Sequence, residues 1–142
     1  MTGHTAFAGA RVLVADPVGQ MAELTCELLQ RIGVGVVVKV ATSEQALVAL
    51  SQSAFSAVFL DLMLRPLDPM KLVARIRQGV EGPNANVPVI AIGSTVLRST
   101  VEMAIAAGIA KIVSRPASAD FLGWSLFSVV RAERPDLDQY LL

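Results

Sequence analysis

The sequence predicts an α/β domain in which an open parallel sheet is covered by helices on both faces. Short β-favouring runs alternate with longer stretches of helical periodicity along the chain. Several of these runs, such as residues 57–60, are continuously apolar, as expected for strands buried on both faces. With 142 residues, the chain is long enough for one such domain and too short for two.

The first two β-α units lie in the N-terminal third of the chain. Residues 12–15 form the first strand and residues 21–32 the helix after it. The core face of this helix is predicted to hold four apolar residues, Met21, Leu24, Leu28 and Ile32. Residues 34–40 contain five valines, which favour a strand, and Thr42 or Ser43 can cap a helix over 44–51.

Three further units follow without an internal linker. Strand 54–60 stops at Asp61 and precedes helix 70–78, whose inward residues are Leu72, Val73 and Ile76. Strand 87–92 precedes helix 96–107, and strand 111–114 precedes helix 119–131. We expect a flexible arm over 1–9, the domain over 10–132 and a tail over 133–142.

Composition excludes several classes of function. Twelve basic residues balance twelve acidic ones, which leaves no electrostatic case for nucleic acid or an anionic membrane. No apolar run reaches the roughly 18 residues of a membrane span, and the first nine residues do not resemble a signal peptide. The single cysteine, Cys26, is predicted to be a small buried residue. We therefore expect a cytoplasmic protein.

Polar or small residues follow four of the predicted strands: Asp16, Asp61, Gly93 with Ser94, and Arg115. In an open parallel sheet, ligands bind beyond the carboxyl ends of the strands. Two carboxylates suit Mg²⁺, and a cation with a small or hydroxylic residue suits a phosphoryl group. An enzyme or flavin carrier on a flavodoxin-like fold lacks support, because residues 16–20 are not a phosphate-binding loop.

The segments around these positions resemble the receiver domain of two-component response regulators. The matching segments are residues 11–17, 57–63, 87–92, 107–108 and 114–116. The resemblance implies a doubly wound five-stranded parallel sheet of order 2-1-3-4-5 in three α/β/α layers. It also implies that Asp61 accepts a phosphoryl group from a histidine kinase or phosphotransfer protein. Mg²⁺ would then be held by Asp16, Asp61 and the backbone carbonyl of Met63.

The predicted site departs from the family pattern at several positions, three of which lie at the ends of strands. Ala15 stands where the first of two acids is usual, so we expect weakened Mg²⁺ binding. Gly93 replaces the usual hydroxylic residue, although Ser94 follows it directly. Arg115 replaces a lysine, and its planar guanidinium could pair bidentately with Asp61.

Two functions remain open from the sequence. One is a stand-alone receiver in a phosphorelay, with Asp61 as phosphoacceptor and output through contact with a downstream target. The other is a degenerate pseudo-receiver that acts as a phosphorylation-independent adaptor or dimerisation module. In neither case do we expect an enzyme. The eleven residues after Arg131 are too few for a DNA-binding module.

The last helix is predicted to carry a contact surface for a protein target or a second copy. Its core stripe is Leu122, Leu126 and Val129, which places the chain's only tryptophan on the opposite side. An exposed aromatic pair is typical of a partner surface, although the C-terminal tail could instead cover it. The predicted contact residues are Trp124, Phe127, Met103 and Ile112, the last standing where the family has its signalling aromatic.

Overall fold

One parallel sheet organises the molecule. The computed structural model describes residues 7–79 and 82–133. The strands in these residues are β1 Arg11–Ala15, β2 Val36–Val40, β3 Ala57–Asp61, β4 Val89–Gly93 and β5 Lys111–Ser114. They lie in the order β2-β1-β3-β4-β5, and every neighbouring pair is parallel. The predicted fold class and strand order are confirmed.

A helix follows each strand in the described part of the chain. The helices are α1 Gly19–Arg31, α2 Ser43–Gln52, α3 Pro69–Arg77, α4 Arg98–Ala107 and α5 Ala119–Glu133. Thr42 Oγ1 caps α2 by accepting a hydrogen bond of 3.1 Å from the Gln45 amide. Helix α4 ends at Gly108, whose φ of 96° lies in the left-handed region that glycine tolerates. In these segments, no helix is both long and apolar enough to cross a membrane.

Helices cover the sheet on both faces, which explains the continuously apolar strands. All five residues of β3 and of β4 are buried. On one face, α1 and α5 pack over a core that includes Phe59 and Leu126. On the other face, α2, α3 and α4 pack over a core that includes Leu60 and Leu72. The inward residues predicted for α3 are buried as expected.

The predicted core face of α1 is wrong by about one position. The residues that the helix buries are Ala22, Thr25, Cys26 and Leu29. Leu24, predicted to face the core, is 47% exposed. Helix α1 carries two adjacent apolar stripes, and the one with smaller side chains faces the sheet, where it permits close packing. Cys26 is buried in this core, as predicted.

The N-terminal segment joins the core earlier than predicted. Phe7 is 3% exposed, and its ring meets that of Phe127 edge to face with centroids 6.1 Å apart. The Phe7 carbonyl also accepts hydrogen bonds from the amides of Ala10 and Gly35. Phe7 therefore belongs to the packed domain and not to the predicted arm of residues 1–9. Residues 1–6 and 134–142, which hold two thirds of that arm and almost all of the predicted tail, lie outside the described residues.

Candidate functional site

The carboxyl ends of the strands meet at one edge of the sheet. Strand β3 pairs in register with β1 and β4, and β4 pairs in register with β5. Residues at the ends of these strands therefore leave the sheet at the same edge. Asp16 follows β1, Asp61 is the last residue of β3, and Arg115 follows β5. The structure brings these three side chains into direct contact.

Arg115 bridges the two carboxylates. One guanidinium nitrogen, Nη2, donates to Asp16 Oδ2 at 2.6 Å, and the other, Nη1, lies 2.7 Å from Asp61 Oδ2. The side chains of Arg115, Asp16 and Asp61 are 14%, 4% and 6% exposed. We expected a bidentate pair with Asp61 alone; instead, the planar fork of the guanidinium is divided between two acids.

The remaining carboxylate oxygens accept hydrogen bonds from the backbone. The Val18 amide donates to Asp16 Oδ1 at 2.8 Å, and the Met63 amide donates to Asp61 Oδ1 at 2.7 Å. Each carboxylate therefore has a backbone hydrogen bond on one oxygen and an ion pair with Arg115 on the other, which meets the requirement of a buried charge. The backbone of Met63 does reach the site, through its amide; metal binding by its carbonyl stays a prediction.

Asp16 sits in an environment that opposes its charge. Burial raises the pKa of Asp16 above its ordinary value of 3.8, and the neighbouring Asp61 carboxylate raises it further. The Val18 amide and the Arg115 guanidinium lower the same pKa. Arg115 therefore offsets only part of the cost of burying Asp16 beside a second carboxylate.

The donor set does not fit Mg²⁺ in this arrangement. Mg²⁺ requires near-octahedral oxygen ligands, and both Oδ2 atoms at the site already face Arg115. Ala15, the last residue of β1, is fully buried in the apolar core, and its side chain offers no metal ligand. Over residues 7–79 and 82–133, no group of three or more His, Cys, Asp or Glu side chains could hold a metal ion.

Gly93 is closely packed, and it has no room for the side chain of a hydroxylic residue. A Cβ added to Gly93 would lie 2.7 Å from Leu62 Cδ1 and 3.3 Å from Val96 Cγ2. The Leu62 side chain thus occupies the space into which a serine or threonine side chain would project. Sequence reasoning missed Leu62, because nothing in the chain indicates which way this side chain turns after β3.

Ser94 lies beside the site on the solvent side. It is exposed, and it lines a cavity of about 340 Å³ together with Arg115, Pro116 and the partly exposed stripe of α1. The α1 residues in this lining are Met21, Leu24, Thr25 and Leu28. Three of these are the apolar residues that we assigned to the core, so the error in the α1 face also concealed this cavity.

A second feature is an apolar groove between α4, β5 and α5, here called the α4–α5 groove. It encloses about 530 Å³, and its lining includes Ile105, Ile112, Phe121 and Trp124. Trp124 is 56% exposed and Ile105 is 65% exposed, so the apolar wall is open to solvent. The predicted exposure of Trp124 is correct, and Phe121 is an aromatic residue of this surface that the sequence argument missed.

Two of the predicted contact residues do not belong to this groove. Phe127 is half-buried against the Phe7 ring and packs on the core, because the N-terminal segment covers it. Met103 is 59% exposed but is not part of the groove lining. It lies about 200° around α4 from Ile105, on the other flank of the helix.

A family model described as the response regulator receiver domain matches residues 12–123. The chain belongs to this family. Receiver domains are modules of two-component signalling and are not typical enzymes; they bind Mg²⁺ and interact with histidine kinases and downstream targets. The strand-end cluster of Asp16, Asp61 and Arg115 lies within the residues that the family model matches.

Solved receiver structures share the fold at low sequence identity. The receiver of the Francisella response regulator 1452 has 20% identity and a TM-score of 0.79 over 89% of this chain and 100% of that chain. The receiver of sensor histidine kinase PA1611 from Pseudomonas aeruginosa has 23% identity and a TM-score of 0.76 over 87% and 98%; a magnesium ion is coordinated in its active-site cleft. The Vibrio cholerae chemotaxis protein CheY4 has 18% identity and a TM-score of 0.77 over 84% and 98%. No curated protein matches the sequence.

Proposed function

We propose that this receiver is a signalling adaptor whose output is direct contact with a downstream protein, independent of phosphorylation. The observation that carries the proposal is the Arg115 guanidinium, which contacts the Oδ2 atoms of both Asp61 and Asp16. The charge of the Asp61 side chain is thereby compensated without a phosphoryl group or a metal ion. The buried charges of the site are therefore compensated by the side chains of the protein itself.

The α4–α5 groove is the proposed contact surface. Its wall presents Ile105, Phe121 and Trp124, each about half-exposed or more. Aromatic side chains in an apolar depression are the usual centre of a protein interface, where a few residues contribute most of the binding energy. Lys111 lies in the same lining and adds a positive charge to it. The groove therefore suits an apolar segment of a target protein that carries an acidic residue.

Substitution within the groove tests this surface. Trp124→Ala is expected to weaken capture of the target by tenfold or more, about the effect of removing a buried aromatic anchor. The matched control is Met103→Ala, which removes an equally exposed apolar side chain from the other flank of α4. Pull-down from a lysate, with size-exclusion chromatography for self-association, distinguishes a target protein from a second copy. Equal capture by both variants would refute the assignment.

Phosphorylation at Asp61 is the second candidate function. It is favoured by the position of Asp61 at the carboxyl end of β3 and by the cation 2.7 Å from its Oδ2 atom. Incubation with acetyl phosphate and Mg²⁺, followed by intact-mass measurement, separates the two candidates. Addition of one phosphoryl group to the wild type but not to Asp61→Asn would establish this function and overturn phosphorylation independence.

A further inference from the structure

The two carboxylates of the site cannot lie together in the core without a cation. Asp16 and Asp61 are 3% and 5% exposed, and both have an oxygen in contact with the same side chain. Two buried carboxylates that contact the same side chain repel each other unless a positive charge lies between them. In this site the positive charge is the Arg115 guanidinium, which contacts both Oδ2 atoms.

The packing around the cluster supports a cation built from the chain itself. Both Oδ1 atoms accept backbone hydrogen bonds, from Val18 and Met63, and both Oδ2 atoms face Arg115, so each of the four carboxylate oxygens already has a partner. Mg²⁺ gives up its hydration water only for a well-formed set of oxygen ligands. Two carboxylates that already share a guanidinium do not provide that set.

We propose that the Arg115 guanidinium is the permanent cation of this site and that it excludes Mg²⁺ from the Asp16–Asp61 pair. The fork suits this role, because its two terminal nitrogens reach two acceptors at once, whereas a lysine ammonium is a single point of charge. The inference rests on the same site as the proposed function, but the two fail separately. Mg²⁺ binding without phosphorylation would overturn the inference and leave the adaptor role intact.

Thermal unfolding with and without Mg²⁺, at matched ionic strength, tests the proposal. The wild-type melting temperature is expected to stay unchanged at millimolar Mg²⁺. Arg115→Lys keeps a positive charge but releases one carboxylate, so Mg²⁺ at about ten times its dissociation constant should raise the melting temperature by about 4–5 °C. The control is Arg98→Lys, the same substitution at an exposed arginine, which should behave as the wild type.

Direct binding measurements keep the test decisive if Arg115→Lys folds poorly. Mn²⁺, a paramagnetic probe for the same ligands, is added to the ¹⁵N-labelled wild type, and selective loss of the Val18 and Met63 amide signals is measured. The proposal expects these signals to persist. Their selective loss, or a Mg²⁺-dependent rise in the wild-type melting temperature, would overturn it. A folded Arg115→Lys variant that gains no Mg²⁺ response would overturn it too, because Arg115 would then not be what excludes the ion.

Discussion

Removal of the Arg115 charge is expected to destabilise this receiver strongly. In Arg115→Met, the Asp16 and Asp61 carboxylates lose the contacts of 2.6 and 2.7 Å but remain almost completely buried. Breaking a buried ion pair by removing one partner costs about 3–5 kcal/mol, because the remaining charge is left uncompensated. For a domain of this size, that corresponds to a fall in melting temperature of about 10–15 °C.

A surface ion pair of the same length provides the control. Lys39 Nζ lies 2.7 Å from Glu23 Oε2, but the two side chains are 45% and 55% exposed. Lys39→Met is therefore expected to change the stability little, since water screens this pair. The contact distances of the two wild-type sites are nearly the same, 2.7 Å at Lys39 and 2.6 and 2.7 Å at Arg115, so a difference in stability between the two variants reports on burial.

Urea unfolding followed by circular dichroism at neutral pH measures both variants. A second series near pH 4 should narrow the gap between Arg115→Met and the wild type, because burial raises the pKa of Asp16 and this carboxylate, without Arg115, then binds a proton in the folded state. Equal, small losses for Arg115→Met and Lys39→Met would refute the reasoning that the buried carboxylates depend on this guanidinium.

Three further predictions concern positions around the site and in the core. Gly93→Ala should lower the free energy of unfolding in urea by about 1–3 kcal/mol, since a Cβ would lie 2.7 Å from Leu62 Cδ1. Measured in the Leu62→Ala background, the same substitution should cost much less. Burial raises the pKa of the Cys26 thiol above its ordinary value of 9.0, so the folded protein should react slowly with Ellman's reagent. The stability of the protein should fall as pH rises above 9.0, because the thiol ionises first in the unfolded chain. Cys26→Ser should lack this fall. Asn84→Ala should cost about 2–3 kcal/mol and accelerate amide exchange at Phe55, because the Asn84 amide donates to two backbone carbonyls and accepts from the Phe55 amide at 2.8 Å. A wild-type exchange rate at Phe55 would contradict the last prediction.

The strands and their ends could be predicted from the sequence because their signals are local. Residues 111–114 were assigned to the fifth strand with the bounds that the structure shows. The polar residue that stops each buried run also identified the edge where Asp16, Asp61 and Arg115 meet. An apolar run and the residue directly after it are both visible in the order of residues along the chain, so no tertiary contact is needed to find them.

Choices between neighbouring side chains were beyond sequence reasoning. Helix α1 has two apolar stripes, and only the shape of the sheet beneath it selects Ala22 and Leu29 over Leu24. Arg115 was known to be a cation near Asp61, but its division between two acids depends on the path of its side chain across the sheet edge. Burial of Phe127 depends on Phe7, which is 120 residues earlier in the chain.

The Arg115 fork also couples strands that share no hydrogen-bond ladder. Strands β1 and β5 are separated by β3 and β4, a distance of about 14 Å at the usual strand spacing. The backbone ladders join only neighbours, whereas Arg115 links the end of β5 to the ends of both β1 and β3. Outward movement of the β5–α5 connection would have to break both contacts, so the two ion pairs oppose such a movement. The Arg115 side chain thus connects the ends of the first and last strands of the chain.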